Sequence, residues 1–396
     1  PSAPPAARTQ VDALMLLLVA AASGLALSGD LFNLYVFYEL LAIASLGLMT
    51  VEATGRAYLA SLRYLLISAA GSVLALVGIT LIYFQAGTVN LADLARLAPT
   101  TLHNPTGWAA FTVLLLGFGV KAELFPVNFW VAEVYAAVPA RLAALLAGLV
   151  SKLAVLILVR LLVMVFPQPE AAQLLLVLGM AGLVIGELAA FKATDLRRLL
   201  AYSSVGQLGL ILIAFGLLGP AGIWAGLALM LHHLVVKSAL FGLTTAWGGS
   251  LLWLRGAAHA APWMAAAMVL LALSLIGVPP LPGFWAKLLV VLPLAQAGTP
   301  LHLLALVAVL GVAVLEAAYW FRVVGLMYGP AEPQQPAPVY APAWRDQLTL
   351  GLGAGLILAA TVFLVPLGTG LQSLATQLQD TPQVIRTVLP IEIKTP

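Results

Sequence analysis

Residues 114–130 read LLLGFGVKAELFPVNFW and residues 273–291 read LSLIGVPPLPGFWAKLLVV. In the first, Lys121 stands about one helical turn before Pro126. In the second, Pro279, Pro280 and Pro282 come just before Lys287. Proline removes a backbone donor and interrupts the helix ladder. Within a bilayer such a break survives only where protein or water satisfies the freed groups. A charged side chain at mid-membrane costs about 2.5–3.5 kcal/mol even on the lenient insertion scale. Two apolar runs that each combine a helix break with a buried lysine therefore predict a polytopic all-α membrane protein with a transport path at its breaks.

The rest of the chain agrees. Of 396 residues, 62% are hydrophobic and 8% charged, whereas a soluble domain carries about 25% charged residues. A spanning helix takes about 20 apolar residues. We expect eleven, over 12–28, 31–51, 59–86, 107–125, 139–165, 172–191, 196–217, 220–248, 262–297, 300–329 and 346–367. The interrupted helices are the fourth and ninth, five apart. A unit of five spans reverses direction, so residues 12–165 and 172–329 are expected to be two inverted repeats. Helix 346–367 follows, then a polar tail over 368–396 outside the membrane. Residues 1–11 form a polar N-terminal segment, too polar and Pro-rich for a signal peptide. Because the chain opens on Pro1, we expect an N-terminal portion to precede it.

Basic residues set the orientation. With the loop holding Lys192, Arg197 and Arg198 placed in the cytoplasm, Arg8, Arg56, Arg63, Arg141, Arg255 and Arg345 fall on the same side. Only Arg96, Arg386 and Lys394 fall opposite, nine against three. The chain has no cysteine, which excludes thiolate-held clusters, disulfides and thiolate zinc. No cofactor and no metal site is expected. A net charge of +3 gives no reason to expect nucleic acid.

Seven titratable residues lie deep in the predicted spans: Glu39, Lys121, Lys152, His232, His233, Lys237 and Lys287. Glu123 and Glu316 are also intramembrane, and Glu187 lies nearer a helix end. Burial disfavours the charged form of lysine and a nearby carboxylate restores it, so small movements of a carboxylate can load or unload a lysine. Histidine titrates near neutral pH unaided. The seven residues thus form a candidate proton relay.

Each residue alone has a plainer reading. Lys152 or Lys237 could snorkel, Glu39 could tie two helices, and His233 could face a helix partner. His103, His259 and His302 are expected in solvent, and Arg160 and Arg322 to snorkel at helix ends. Tyr202, Ser203 and Ser204 could supply interhelical hydrogen bonds, and the aromatic residues face lipid or the interface. The combination of two broken-helix lysines with Glu39 favours the relay.

GDLFNLYVFYELLAIASLGLM (29–49), GFGVKAELFPVNFWVAEVYAAVPA (117–140), LLAGLVSKLAVLILVR (145–160), DLRRLLAYSSVGQLG (195–209), HHLVVKSALF (232–241) and GVPPLPGFWAKLLVV (277–291) resemble the antiporter-like subunits shared by Mrp-type Na+/H+ antiporters, respiratory complex I and membrane-bound hydrogenases. GTVNLADLARLA (87–98) and Lys237 lean towards the D-type Mrp subunit. The resemblance implies that Glu39 and Lys121 form the family's Glu–Lys pair, with side chains expected within about 4–6 Å of each other or joined by water. It implies a connecting lysine in Lys152, a central region in His232, His233 and Lys237, and a terminal exchange lysine in Lys287. It also implies fourteen helices, of which the eleven here are the fourth to fourteenth. The doubled histidine departs from the single histidine followed by a carboxylate that the Mrp type leads one to expect.

The reading is therefore a multi-pass subunit of the cell inner membrane. It would conduct protons within a multisubunit Mrp-type antiporter, with other membrane subunits as partners and a sodium gradient as driving force. The alternative is the proton-pumping membrane subunit of a complex I-like oxidoreductase or a hydrogenase. That would make the chain a non-redox part of an enzyme. A vestigial scaffold and a small-solute transporter are weaker rivals: a solute site would be expected to show anchoring Asn, Asp or Arg at a helix break, and the breaks here offer mainly lysine.

Overall fold

A computed structural model describes residues 5–51, 54–330 and 344–389. The chain is helical, with two isolated β-bridges and no strand among the described residues. The helices are α1 (Pro5–Leu27), α2 (Leu31–Thr50), α3 (Gly55–Ala86), α4 (Leu91–Thr101), α5 (Pro105–Gly119) and α6 (Val131–Ala137). Next come α7 (Ala140–Val165), α8 (Pro169–Lys192), α9 (Leu196–Gly216), α10 (Gly219–Trp247) and α11 (Pro262–Ile276). The last five are α12 (Pro282–Ala297), α13 (Pro300–Tyr328), α14 (Trp344–Val362), α15 (Leu364–Gln379) and α16 (Thr381–Val388).

Among the described residues, eight helices are long and apolar enough to cross a membrane, or up to nine if the bent pair α14–α15 is one span. The expected spans 107–125 and 262–297 are built from shorter pieces. Helix α5 stops at Gly119, and the chain runs without regular helix until α6. Helix α11 stops at Ile276, Gly277 takes φ +90°, and α12 resumes at Pro282. Pro282 is thus the first residue of a helix, where its missing N–H costs nothing. Phe125–Pro126 and Pro279–Pro280 are cis.

Side chains satisfy the carbonyls that the breaks set free. Trp130 Nε1 donates to Val120 O at 3.1 Å and Tyr38 OH to Gly117 O at 2.9 Å. At the second break, Lys287 Nζ donates to Ile276 O at 3.2 Å and Trp285 Nε1 to Pro280 O at 3.3 Å. Non-helical backbone at membrane depth requires such partners.

Helix α9 is the hub. Of its apolar window 94% is buried within this chain, against 22% for α13. Helices α8 and α9 make the most extensive contact in the molecule, and small residues allow it. A Cβ at Gly186 would fall 2.5 Å from Gly206 N, and one at Gly209 would fall 2.5 Å from Gly179 O. Without a hydrophobic drive between helices in lipid, close backbone approach supplies the packing. Helix α10 touches α7, α9, α12 and α14.

Some expectations are corrected. The last span ends at Val362, and α15 leaves at 87° to α14. Pro366, in the first turn of α15, clashes with the carbonyl four residues earlier if the helix continues. The polar tail expected over 368–396 is helical up to Val388 and packs onto α10 and α4. Residues 1–4 and 390–396, with Lys394, lie outside the described residues, as do the side chains of Arg8 and Arg345. Several aromatic residues expected to face lipid are fully buried, among them Tyr38, Tyr135, Tyr319 and Trp320. Arg160 donates to Ser28 O (2.6 Å) and Ala26 O (2.8 Å), satisfying the carboxyl end of α1. Arg322 similarly donates to Ala193 O beyond α8. His103 and His259 are exposed, as expected.

Candidate functional site: a buried row of charges

The first break positions Lys121 against α2. Its Nζ lies 3.7 Å from Glu39 Oε1 and 3.2 Å from the centroid of the Tyr38 ring. The ring face attracts the ammonium, so the lysine is held by one ion pair and one aromatic ring. The Lys121 side chain is 1% exposed and that of Glu39 28%, so the pair opens on the glutamate side. The expected distance is met.

Two residues on, Glu123 turns the other way. It is buried, and Tyr135 OH on α6 donates to its Oε1 at 2.7 Å. Lys152, on α7, donates to Ala147 O and, at 3.1 Å, to Ser151 Oγ. The turn Leu146–Val150 just before it is π-helical, which frees the Ala147 carbonyl from the ordinary ladder.

On α10, Lys237 is wholly buried and donates to Ser203 Oγ at 2.8 Å and Leu200 O at 3.2 Å. Tyr319 OH, from α13, donates to the same Ser203 Oγ at 2.9 Å. His232 and His233 are sequence neighbours, about 100° apart around the helix axis, and they diverge. The His232 ring lies 2.8 Å from Ser274 Oγ on α11, and the His233 ring 3.5 Å from Ser204 Oγ on α9. His233 thus faces the side of Lys152, and His232 that of Lys287.

At the second break, Lys287 on α12 forms an ion pair with Glu316 on α13. Gln207 Nε2, from α9, donates to Glu316 Oε1 at 2.8 Å. The Lys287 side chain is 13% exposed and that of Glu316 fully buried. Lys287 therefore faces the protein interior.

Sequence reasoning named Glu316 without a role and set Glu187 near a helix end. Glu187 is in fact fully buried on α8. A Cβ at residue 206 would stand 2.8 Å from its carboxyl carbon, so Gly206 makes its space. Charge from Glu316, Lys237 and Lys287 reaches it. Tyr135, Ser203, Gln207, Ser274 and Tyr319 are further polar members. Their sequence signal is a polar residue within an apolar span. Ser203 and Ser204 do make the interhelical contacts expected of them. No group of three or more His, Asp or Glu that could hold a metal is found among the described residues.

Fold and site together define a helical membrane protein with a row of buried titratable groups running between two broken helices. The chain belongs to the NADH:quinone oxidoreductase/Mrp antiporter family, whose transmembrane model matches residues 28–312. It is 34% identical over 372 residues to NADH-quinone oxidoreductase subunit N of Desulforudis audaxviator, covering 87% of this chain and 72% of that protein. It is 35% identical over 286 residues to the D-type Na(+)/H(+) antiporter subunit of Alkalihalophilus pseudofirmus, covering 69% of this chain and 57% of that protein. The structure of the Mrp complex from Dietzia sp. DQ12-45-1b holds a chain matching with TM-score 0.85 and 28% identity, over 95% of this chain and 79% of that one.

Proposed function

We propose that this chain is the proton-conducting, antiporter-like subunit of a multisubunit complex in the cell inner membrane, of the Mrp Na+/H+ antiport type. Protons pass by relay through Glu39, Lys121, Lys152, His232, His233, Lys237 and Lys287. The observation that carries this reading is the row of buried groups with an ion pair at each broken helix, Glu39–Lys121 at one and Glu316–Lys287 at the other. Burying so many ionisable groups is expensive in a membrane and marks an ion or proton path.

Residues 12–165 and 172–329 act as two inverted halves in this reading. A matching device in each half supports it. Asp30 caps α2 and bridges Asn90, while Asp195 caps α9 and bridges Ser250. Other membrane subunits are the partners, and a sodium gradient supplies the driving force through them.

The second reading is the membrane subunit of a complex I-like oxidoreductase. The match to the subunit N relative, which extends over 87% of this chain, favours it. The test is sodium dependence. The complex is purified through a tag on this chain, reconstituted into vesicles and given a sodium gradient. Proton flux that follows sodium, with no redox subunit co-purifying, supports antiport. Flux that requires an electron donor selects the second reading.

A further inference from the structure

We infer that Glu123, which lies outside the relay proposed above, is its missing acidic link, exchanging the proton with Lys152 on the way to Lys237. The inference rests on the relay reading and deepens it.

The relay as read from sequence passes from Lys121 to Lys152 and Lys237 with no carboxylate between them. Like charges repel, so a chain of ammonium groups alone is a poor conductor. Glu123 supplies the group of opposite sign at that place. Its charge acts on Lys152 most strongly and also on Lys237. In turn, Glu123 is the carboxylate that acts on Lys152. Lys121 engages Glu39 instead.

The turn itself gives no reason for a glutamate. Glu123 takes φ +56°, a left-handed conformation that glycine or asparagine adopts at lower cost. Its side chain is buried and only one oxygen is held, Oε1 by Tyr135. Oε2 is buried without a hydrogen bond of good geometry, although the Ser204 hydroxyl is close enough to act on the carboxyl. Buried carboxylate oxygens are normally satisfied, so a strained backbone that presents one open oxygen at a functional break points to use.

The step is a plain proton transfer. An ammonium N–H breaks and a carboxyl O–H forms on Glu123, leaving a neutral amine and a neutral acid. The acid then returns its proton to the next amine, and charge is conserved throughout. Tyr135 stabilises the ionised state between transfers.

The test uses the assembled complex in inverted vesicles, comparing wild type, Glu123→Gln, Glu123→Asp and Lys287→Ala at equal assembled amounts. Glutamine keeps the volume and the acceptor for Tyr135 but cannot carry the proton. Flux should fall at least tenfold in Glu123→Gln while assembly is kept, and Glu123→Asp should restore part of it. Wild-type flux in an assembled Glu123→Gln complex overturns the inference. So does failure of both Glu123 variants to assemble, which would make the residue a structural anchor. Loss in Lys287→Ala with normal flux in Glu123→Gln refutes this link alone. Normal flux in both sinks the relay itself.

Discussion

Replacing Lys287 by arginine separates a proton carrier from a structural cation. Lys287 pairs with Glu316, a fully buried carboxylate that also accepts from Gln207. Removing one partner of a buried pair costs about 3–5 kcal/mol, because the other charge is left uncompensated. Lys287→Ala should therefore weaken the fold as well as the transport. Arginine keeps the positive charge and can donate to both carboxylate oxygens, so Lys287→Arg should assemble with stability within about 1 kcal/mol of wild type. It should not release a proton, since its reference pKa exceeds that of lysine by about two units or more. Two units correspond to about a hundredfold less free base, or about 2.7 kcal/mol. Proton flux in inverted vesicles, read with a pH-sensitive dye, should drop about a hundredfold or more in the arginine variant. Thermal unfolding in detergent should barely move. Near-normal flux with arginine would remove Lys287 from the relay and leave it a structural ion pair.

Three further outcomes are open to measurement. Glu39→Gln and Lys121→Ala should each stop transport and be non-additive in a double-mutant cycle of thermal stability, with a coupling of about 1 kcal/mol because Glu39 is partly exposed; strict additivity argues against the pair. Ser203→Ala strips Lys237 and Tyr319 of their shared partner and should slow flux several-fold more than Ser204→Ala, which loses only a 3.5 Å contact with His233; equal effects would place the path elsewhere. Gly186→Ala drives a methyl to 2.5 Å from Gly206 N, so it should lower stability by about 1–3 kcal/mol, and an unchanged melting temperature contradicts the packing of α8 on α9.

The membrane class, most of the helices, the two breaks and the seven relay candidates were legible in the sequence. Each depends on local chemistry: an apolar run of spanning length, a proline, a charge where lipid tolerates none. Nothing local announces that α14 ends at Val362 except Pro366, and the helical pattern of the tail was masked by its polar residues. Among the site residues, Glu39 and Lys121 could be paired beforehand because the family resemblance paired them. The partner of Lys287 could not.

What the sequence determined alone was the medium and the inventory: a bilayer as solvent, two interrupted helices, and a set of costly charges that had to find partners. Which charge meets which was decided by the tertiary structure. The physical reason is that most spans here are apolar on every side, so no amphipathic stripe marks an inner face. Small residues at the α8–α9 contact set how closely the hub packs, and that packing places Glu187 and Gln207 inside. A single residue step around α10 then sends His232 towards Ser274 and His233 towards Ser204. The pairing of Lys287 with Glu316 likewise exists only once α12 and α13 are packed side by side.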